Sequence, residues 1–490
     1  MMWRAFGHRH FGARLLRRAL AASAPGAEAK NRVVIVGSGW AGFRLATDLD
    51  KSRFHVDVVS PRNHFLFTPL LPSTAVGTLE FRAIQEPVRT IPHCAYQQAN
   101  VESIDFAGKT VLCRDALDFE GGHSFTLPYD VLVLATGSET ATYGTPGIAH
   151  RAPDAPSSQP TSHVYFLKQL QHSRAIRDRL IECFEIASSP GTTEAARKQL
   201  LTFVVVGGGP TNVEFASELF DFLENDVRRL YPELFRVAQV KLVEAGEHIL
   251  GSFHVSLVGY VERLLKTRHI DVLTCRAVKR VSGDVAFLDN GQEIPFGLLV
   301  WSAGIKQVPL IEALPPQLVA RHKNGRLMTN GHLMLLKPRT AAAAGAGAVV
   351  AAGAAAAGAA AAEEDVVEGV FGVGDCAAHA SKPLPALAQV ASQQAKHLAT
   401  ALNAGTVGKR PFAYQHLGSM MSVGAWKGVY DGHNVGSDRL HVDAPPLQGF
   451  LAFALWRAAY WTRQVSATNK LLILMYWFKS AVFGRDVSRF

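Results

Sequence analysis

Two glycine-rich turns carry the residue types and the spacing that most directly suggest chemistry. The first, Gly37-Ser38-Gly39 with a further glycine at Gly42, follows the apolar run 33–36 and precedes a helical pattern. A strand, a glycine turn and a helix in this order form the fingerprint that binds a dinucleotide. Gly37 permits the tight turn, Gly39 lets the backbone approach the diphosphate, and Gly42 allows close packing of helix and strand. The free N–H groups at the start of the helix then face the phosphates.

A second unit of the same kind lies at 201–210, where the sequence reads LTFVVVGGGP. Asn212 stands where the third glycine of the fingerprint is expected, so the packing of helix against strand must be looser or otherwise adjusted there. Two such units in one chain predict two dinucleotide-binding sites. The residues expected to hold the second nucleotide are Gly207, Gly208, Gly209 and Pro210.

An acidic residue ends the next predicted strand of the second unit. The segment 240–244 reads VKLVE, and the carboxylate of Glu244 is placed to accept a hydrogen bond from a ribose 2′-hydroxyl. The same charge repels a 2′-phosphate and therefore favours NAD(H) over NADP(H). An ordinary acid at a strand end gives the same pattern, and both interpretations stay open. In the first unit, Ser60 and Arg62 stand near the corresponding position.

Three more apolar runs, 131–134, 298–304 and 370–375, are predicted to be buried strands that end in small or acidic residues. Small residues at a strand end let the backbone approach a bound ligand. Asp375 can accept a hydrogen bond from a ribityl chain, or it can simply close a turn. The residues singled out at these strand ends are Ala135, Thr136, Gly137, Ala303, Gly304, Gly374 and Asp375.

Two glutamines on one predicted helix form a further candidate site. Gln389 and Gln393 are four residues apart, so they share a helix face. Two neutral amides in this arrangement can bind a carbonyl-bearing substrate without adding charge. An ordinary polar helix face is the alternative.

Composition indicates a folded protein of two or three domains with a separate leader. The chain has 490 residues, 48% of them hydrophobic, and a formal net charge of +9. Part of that charge is local, because residues 1–27 contain arginines and no acid. Residues 1–30 are therefore predicted to be an organelle transit peptide, with a disordered basic tail as the alternative.

The five cysteines are scattered, which argues against a metal site, a disulfide framework or a redox dithiol. We expect no nucleic-acid partner.

The C-terminal part combines aromatic and apolar residues with cations. Neither 447–460 nor 470–483 reaches the roughly 18 uninterrupted apolar residues of a spanning helix. Both segments are typical of helices that lie in a membrane interface. A helical hairpin packed on the protein's own core or on a dimer partner is the alternative.

Together these motifs resemble those of the type II NADH:quinone oxidoreductases, the single-chain NADH dehydrogenases that do not pump protons. The resemblance covers about residues 31–490, apart from a stretch at 341–362 that consists almost entirely of Ala, Gly and Val. Its most specific segments are VVSPRNHFLFTPLLPS (58–73), GTLEFRAIQEPVR (77–89), VVVGGGPTNVEFASEL (204–219), LPALAQVASQQ (384–394) and KLLILMYWFKSAVFGRDVSRF (470–490).

The resemblance implies an α/β fold with two Rossmann-like domains, one for FAD and one for NADH, plus a C-terminal helical membrane-anchoring module. It divides the chain into an FAD-binding part at 31–163, an NADH-binding domain at 164–310 and a return to the FAD domain at 311–400. The alanine-rich stretch is a low-complexity insertion in that return, to which we assign no function. The module for membrane anchoring and quinone access occupies 401–490.

The resemblance also assigns site residues. Arg62 lies beside the adenosine of FAD, Asp375 lies beside the ribityl chain, and Glu214 lies near the junction of nicotinamide and flavin with a role in catalysis or proton movement. Gln389 and Gln393 fall in the AQxAxQ quinone motif. The implied contacts of non-covalent FAD are Gly37, Ser38, Gly39, Ala41, Gly42, Arg62, Thr68, Pro69, Ala135, Thr136, Gly137, Gly374 and Asp375. Those of NADH are Gly207, Gly208, Gly209, Pro210, Glu244, Ala303 and Gly304.

The implied reaction passes a hydride from NADH to FAD and then two electrons to a quinone. The implied location is the surface of the mitochondrial inner membrane, or the plastid thylakoid, with a homodimer as the assembly. The sequence leaves two other functions open. One is a soluble FAD/NAD(P)H reductase of an iron–sulfur or other protein acceptor. The other is a flavin-binding membrane scaffold in which Asn212 has abolished turnover.

Overall fold

The computed structural model describes residues 30–117, 121–148, 163–338, 365–433, 435–437 and 440–488. Three predicted features lie outside the described residues, apart from Lys30: the transit peptide at 1–30, the alanine-rich insertion at 341–362, and the segment 153–162, whose Pro- and Ser-rich sequence predicts a surface loop. The five cysteines all lie within the described ranges and carry free thiols.

The first glycine unit belongs to the larger sheet, which has eight strands among the described residues. An interior strand of this sheet, Asn31–Val36, runs parallel to Phe54–Val59 on one side and to Val131–Leu134 on the other. Val33 to Val36 are buried, as expected for a strand covered on both faces. The strands in spatial order are Ala377–His379, Leu327–Thr329, Met334–Leu336, Val366–Gly372, Val131–Leu134, Asn31–Val36, Phe54–Val59 and Cys94–Gln97.

The second glycine unit belongs to a parallel sheet that has five strands among the described residues. Thr202–Val206 lies at its centre and is buried along its whole length. The strands in spatial order are Val164–Phe166, Leu298–Trp301, Thr202–Val206, Gln239–Val243 and Ile270–Leu273. Each glycine turn thus follows an interior strand at the carboxyl edge of its own sheet, where ligands of open α/β sheets bind.

Helices cover both sheets and form the C-terminal part. Trp40–Asp48 follows the first glycine turn, and Pro210–Phe222 follows the second. The other helices are Leu71–Ala75, Leu170–Ser188, Glu194–Leu200, Arg228–Leu230, Pro232–Phe235, Val255–Thr267, Pro309–Ala313, Ala388–Ala404, Phe450–Thr462 and Ala467–Phe483, with a π-helical turn at Leu223–Val227 and 3₁₀ turns at Thr68–Leu70, Phe81–Ile84, Val88–Thr90 and Gly374–Cys376.

Antiparallel strands complete the described structure. One antiparallel pair is His64–Leu66 with Gln85–Pro87. Another is Glu139–Thr140 with Ile305–Lys306, which joins the segments that follow a strand of each sheet. The remaining groups are Ala99–Asp105, Thr110–Asp115 and Ser124–Pro128; Val278–Ser282, Val285–Leu288 and Glu293–Pro295; Gln415–His416, Val435–Ser437 and Leu440–Val442; and Ser419–Ser422, Gly428–Asp431 and Leu447–Gly449.

Two predicted helix boundaries differ from the structure. The apolar stripe and the alternating charges of 164–183 predict a helix over that range, but Val164–Phe166 is a strand paired with Leu298–Trp301, and the helix begins at Leu170. The pairing partner lies more than a hundred residues away, so local periodicity could not reveal it. The long spacing between the second glycine turn and Glu244 predicts a helix over 212–230, and the observed helix starts at Pro210 and is followed by the π-helical turn Leu223–Val227.

Candidate functional site

The first glycine turn has the geometry expected of a dinucleotide fingerprint. Gly37 has φ +114°, and a β-carbon built on it would lie 2.3 Å from the carbonyl oxygen of Ala135. A β-carbon on Gly42 would lie 1.9 Å from the carbonyl oxygen of Gly37, so the helix approaches the strand closely. At Gly39 the nearest atom would be Nη2 of Arg62 at 3.9 Å. Space therefore remains beside the helix start, where a diphosphate fits.

Ser38 and Ala41 contribute to this turn mainly through their main chain. The Ser38 hydroxyl is buried, where it lies 2.9 Å from Oγ of Ser60 and donates to the carbonyl oxygen of Arg62 at 2.9 Å. Ala41 is buried, and its β-carbon lies 3.7 Å from a β-carbon built on Gly374. The Ser38 side chain is thus committed to protein partners, which leaves its amide as the group available to a ligand.

Arg62 brings a positive charge to the edge of the turn. Its Nη1 donates to Oε1 of Gln169 at 2.7 Å, and its Nε donates to the carbonyl oxygen of His64 at 3.0 Å. Burial lowers the pKa of Arg62 to about 10, which leaves the guanidinium charged at neutral pH. Burial, and then the charge of Arg62, lower the pKa of His64 to about 4. The Nε2 atom of His64 is buried with no partner among the described residues, so a polar ligand atom can satisfy it.

Two of the strand ends predicted from the sequence lie side by side in the larger sheet. Gly372 pairs in register with Leu134, so the turn at 374–376 lies beside the turn at 135–137. The Asp375 carboxylate accepts a hydrogen bond from the hydroxyl of Ser138 at 2.9 Å. A β-carbon on Gly137 would meet no atom within 4 Å, so this turn also borders open space. Thr68 Oγ1 accepts from Trp40 Nε1 at 3.1 Å, which ties the 3₁₀ turn Thr68–Leu70, and Pro69 within it, to the first helix.

The second glycine turn opens into a cavity of about 480 Å³. Gly208, Gly209 and Pro210 line this cavity together with Glu244. Both oxygens of Glu244 are held by main-chain amides: Gly208 N–H donates to Oε2, and Gly246 N–H donates to Oε1 at 2.6 Å. The acid predicted from the strand pattern is therefore fixed beside the glycine turn.

The remaining residues of the second group converge on the same edge. Gly207 has φ +110°, and a β-carbon on it would lie 3.3 Å from Cα of Ala303. Gly304 follows Ala303, and a β-carbon on Gly304 would lie 1.8 Å from the hydroxyl of Tyr143. The ends of strands Thr202–Val206 and Leu298–Trp301 thus meet at the second turn, as parallel strands of one sheet require.

Asn212 is accommodated by hydrogen bonds. Its side chain is buried, and Nδ2 donates to the carbonyl oxygens of Val206 at 2.7 Å and Gly207 at 2.9 Å. The Oδ1 atom is buried without a partner among the described residues. The adjustment predicted for this position is therefore a pair of bonds that fastens the helix to the end of the central strand, at the expense of one unsatisfied acceptor.

Glu214 lies on the same helix and faces the C-terminal part. Its Oε1 accepts hydrogen bonds from the backbone N–H of Ser422 at 3.0 Å and from Nε1 of Trp456 at 3.1 Å. Burial raises the pKa of Glu214 to about 8, and the charge of Glu218 acts in the same direction. At neutral pH the carboxyl group is therefore mostly protonated and can give up a proton to a neighbouring acceptor.

Gln389 and Gln393 share a helix face, as their spacing predicts, and both hold the backbone of 415–418. Gln393 donates to the carbonyl oxygen of Gln415 at 2.8 Å and accepts from its N–H at 3.0 Å. Gln389 accepts from the N–H of Leu417 at 3.2 Å and donates to the carbonyl oxygen of Gly418 at 3.4 Å. Their amides thus have protein partners, for which a bound carbonyl compound would compete.

Comparison with known proteins identifies the family. A family model described as pyridine nucleotide-disulphide oxidoreductase matches residues 31–395, and the NDH2 C-terminal domain matches residues 416–486. A probable NADH dehydrogenase of Dictyostelium discoideum is 37% identical over 468 residues, which cover 94% of this chain and 91% of the relative. The mitochondrial internal alternative NAD(P)H-ubiquinone oxidoreductase A1 of Solanum tuberosum is 35% identical over 489 residues, covering 94% and 88%. The chain belongs to the type II NADH dehydrogenases.

Solved structures share the fold of this type II NADH dehydrogenase. The structure of NDH2 from Plasmodium falciparum in complex with NADH superposes with a TM-score of 0.79 at 20% identity, covering 94% of this chain and 100% of that one. The sulfide:quinone oxidoreductase of Aquifex aeolicus superposes with a TM-score of 0.61 at 17% identity, covering 94% and 96%. Two Rossmann-like sheets with a C-terminal helical part, the predicted fold class, are confirmed.

The structure also brings in residues of this NADH dehydrogenase that sequence reasoning missed. Gln394 is buried, and its Oε1 accepts from the N–H of Gly374 at 2.7 Å, so the helix that carries the glutamine motif is fastened to the turn before Asp375. The buried positions Ala391 and Leu398 lie three residues before and four residues after Gln394, so helix periodicity could have placed it on the inner face. The partners of Glu214 carried no such signal.

The two C-terminal helices of the NADH dehydrogenase turn an apolar surface outward. The guanidinium of Arg457 lies over the rings of Phe453 at 4.7 Å and Trp477 at 4.5 Å, one from each helix, which fastens the pair. No helix within the described ranges has both the length and the apolar character needed to cross a bilayer. The exposed apolar side chains of the two helices are Phe450, Leu451, Leu455, Leu471, Leu474, Met475, Phe478, Val482 and Phe483.

Proposed function

We propose that this type II NADH dehydrogenase is a membrane-associated flavoprotein that transfers electrons from NADH to a quinone without pumping protons. The observation that carries the proposal is the placement of Glu214. Its helix starts at the second glycine turn, and its carboxyl group contacts Ser422 and Trp456 of the C-terminal part. The carboxyl group of Glu214 thus connects the second nucleotide-binding unit with the C-terminal part, which carries the exposed apolar side chains.

The residues of the first turn fit FAD. The open space at Gly39 and Gly137, the charge of Arg62 and the unsatisfied Nε2 of His64 match the diphosphate and the polar edges of such a nucleotide. When bound, FAD supplies the two-electron redox chemistry between NADH and the quinone. The main-chain amides of the glycine turn hold the diphosphate, and Asp375 orients the ribityl chain.

The second turn binds NADH in this proposal, and Glu244 accepts from the ribose 2′-hydroxyl. Glu214 gives a proton to the quinone and regains it from solvent, because its carboxyl group is mostly protonated at neutral pH. Gln389 and Gln393 orient the quinone carbonyl, for which they exchange their bonds to 415–418. The names of relatives in plants and yeasts, which are mitochondrial NADH- or NAD(P)H-ubiquinone oxidoreductases, support NADH and ubiquinone as substrates.

The exposed apolar side chains of the C-terminal helices enter a membrane interface in the proposed mode of attachment. We place the protein on the mitochondrial inner membrane, because curated relatives are mitochondrial enzymes. Cosedimentation of the full chain with lipid vesicles tests the attachment. The triple variant Phe450→Ser, Leu451→Ser, Phe478→Ser should lose most of its vesicle binding, whereas Val255→Ser, an exposed apolar position elsewhere, should keep it. Equal binding of both variants would contradict this surface.

The domain boundaries at 163, 310 and 400 and the homodimer stay predictions. Light scattering of the detergent-held protein measures the dimer directly. Limited proteolysis followed by mass spectrometry tests the boundaries, since cleavage between domains should spare the two nucleotide-binding sheets.

Anaerobic mixing tests the reaction itself. Purified protein is mixed with NADH while flavin absorbance is followed, and a short-chain quinone is then added. We expect rapid bleaching by NADH and recovery with quinone, with NADPH much slower. A flavin that stays oxidised with NADH would favour the scaffold function, because it would make Asn212 disabling. Bleaching without recovery by quinone would favour a reductase of a protein acceptor.

A further inference from the structure

A half-buried lysine outside the predicted sites, Lys168, lies between Arg62 and Asp375 of the candidate FAD site. Lys168 follows the edge strand Val164–Phe166 and precedes helix Leu170–Ser188. Its ammonium group donates one hydrogen bond among the described residues, to Oγ of Ser138 at 2.9 Å. Burial lowers the pKa of Lys168, while the charges of Asp375 and Glu139 oppose that shift. No carboxylate accepts directly from this ammonium group in the described structure.

The neighbours of Lys168 locate it along the nucleotide. On one side Ser138 links Lys168 to Asp375, because the Ser138 hydroxyl donates a hydrogen bond to the Asp375 carboxylate at 2.9 Å. On the other side the next residue, Gln169, accepts from Nη1 of Arg62 at 2.7 Å. The lysine therefore stands between Arg62 and Asp375. Glu139, the other nearby acid, is paired with Lys306 at 3.4 Å.

We propose that Lys168 is a binding residue for the diphosphate of FAD. The inference rests on the proposed function, in which Arg62 lies beside the adenosine and Asp375 beside the ribityl chain. In FAD the group between adenosine and ribityl is the diphosphate, which carries two negative charges. The helix start at Gly39 contributes only about half a positive charge. About one and a half negative charges remain to be balanced by cationic side chains, and Lys168 and Arg62 both border this position.

A purely structural role for Lys168 would be to hold Ser138 in place. Substitutions at Lys168 and at Ser138 distinguish the two roles. Arginine keeps the positive charge and can reach a phosphate, whereas methionine keeps the aliphatic stem and loses the charge. Ser138→Ala removes the hydroxyl and keeps the ammonium group. A diphosphate contact therefore depends on the charge at 168, and a structural contact depends on the hydrogen bond to Ser138.

The test measures FAD binding to the deflavinated full-length protein by quenching of flavin fluorescence, at low and at high salt. For Lys168→Met we expect the Kd for FAD to rise about tenfold or more at low salt, with a weaker salt dependence than in wild type, since one charge contact with phosphate is gone. Lys168→Arg and Ser138→Ala should stay within about threefold of wild type. Lys306→Met, an exposed lysine paired with Glu139, is the matched control and should bind FAD unchanged.

Thermal unfolding of the same deflavinated variants separates affinity from folding. Wild-type FAD affinity in Lys168→Met would overturn the role of Lys168 and leave the proposed function intact. A loss of affinity that is equal in Lys168→Arg, Lys168→Met and Ser138→Ala, with a matching fall in Tm, would reduce the lysine to a structural contact. A wild-type protein that binds no FAD would instead refute the proposed function.

Discussion

Replacing Glu214 by glutamine should remove a pH dependence of stability that wild type has. Burial raises the pKa of this carboxyl group from 4.5 to about 8. Because the folded state holds the proton more tightly than the unfolded state, the stabilising contribution is complete below pH 4.5 and is lost as pH rises towards 8. One pKa unit corresponds to about 1.4 kcal/mol, so at pH 7 wild type has lost about 3 kcal/mol of that contribution. The Glu214→Gln variant does not lose this contribution, since glutamine is neutral at every pH.

The geometry makes glutamine a close substitute. The Ser422 N–H and the Trp456 indole both donate to Oε1 of Glu214, and an amide oxygen accepts the same two bonds. The free energy of unfolding of Glu214→Gln should therefore exceed that of wild type by about 1 kcal/mol or less at pH 5. The difference should be about 3 kcal/mol at pH 7 and should level off near 5 kcal/mol above pH 8.

Denaturant unfolding of both proteins between pH 5 and pH 9 measures this difference. Glu224→Gln is the control, because Glu224 is an exposed residue paired with Arg228 and its removal should change stability by no more than about 0.5 kcal/mol at any pH. A difference between Glu214→Gln and wild type that stays constant from pH 5 to pH 9 would refute the raised pKa. In turnover, Glu214→Gln should slow quinol formation by about 100-fold and leave flavin reduction by NADH near wild type, because only the proton step is removed.

Three further variants test the two turns and the glutamine pair. Gly37→Ala should lose bound FAD and lower Tm, since its β-carbon would lie 2.3 Å from a carbonyl oxygen. The control Gly191→Ala, in a surface turn, should change neither property. Flavin content and thermal unfolding measure both variants. Glu244→Gln should raise the ratio of kcat/KM for NADPH to that for NADH by about tenfold, because the repulsion of a 2′-phosphate is removed; an unchanged ratio would contradict the assigned role. Gln389→Ala with Gln393→Ala should impair quinone reduction far more than flavin reduction in stopped-flow traces, and equal losses in both half-reactions would reject a quinone contact.

The strands and helices around the site were largely predictable, because their signals are local. Apolar β-branched runs predict strands at 33–36 and 131–134, and both are confirmed as buried strands. The helix predicted over 164–183 is present from Leu170, but its predicted start at Val164 is wrong, because Val164–Phe166 pairs with Leu298–Trp301 as an edge strand. Edge pairing of this kind depends on a partner remote in sequence, which a local pattern does not contain.

The site was predictable in the residues it uses and less so in their contacts. The spacing of Gln389 and Gln393 predicts a shared helix face, and the structure confirms it, but nothing local indicates that both amides hold the backbone of 415–418. Likewise, the departure from glycine at Asn212 is visible in the sequence, whereas its two hydrogen bonds to strand carbonyls are not. Side-chain partners of this kind are set by packing between elements.

Sequence motifs are sufficient to predict that this chain has two nucleotide-binding units and that it belongs to the type II NADH dehydrogenases. This evidence is short-range, since a glycine turn between strand and helix requires particular residues within a few positions. The protonation and the positions of the charged groups, by contrast, depend on the tertiary structure. The protonation of Glu214 depends on its burial against Ser422 and Trp456, and the position of Lys168 between Arg62 and Asp375 depends on four segments that meet only in the fold. Ionisation follows the surroundings of a group, and those surroundings come from distant parts of the chain.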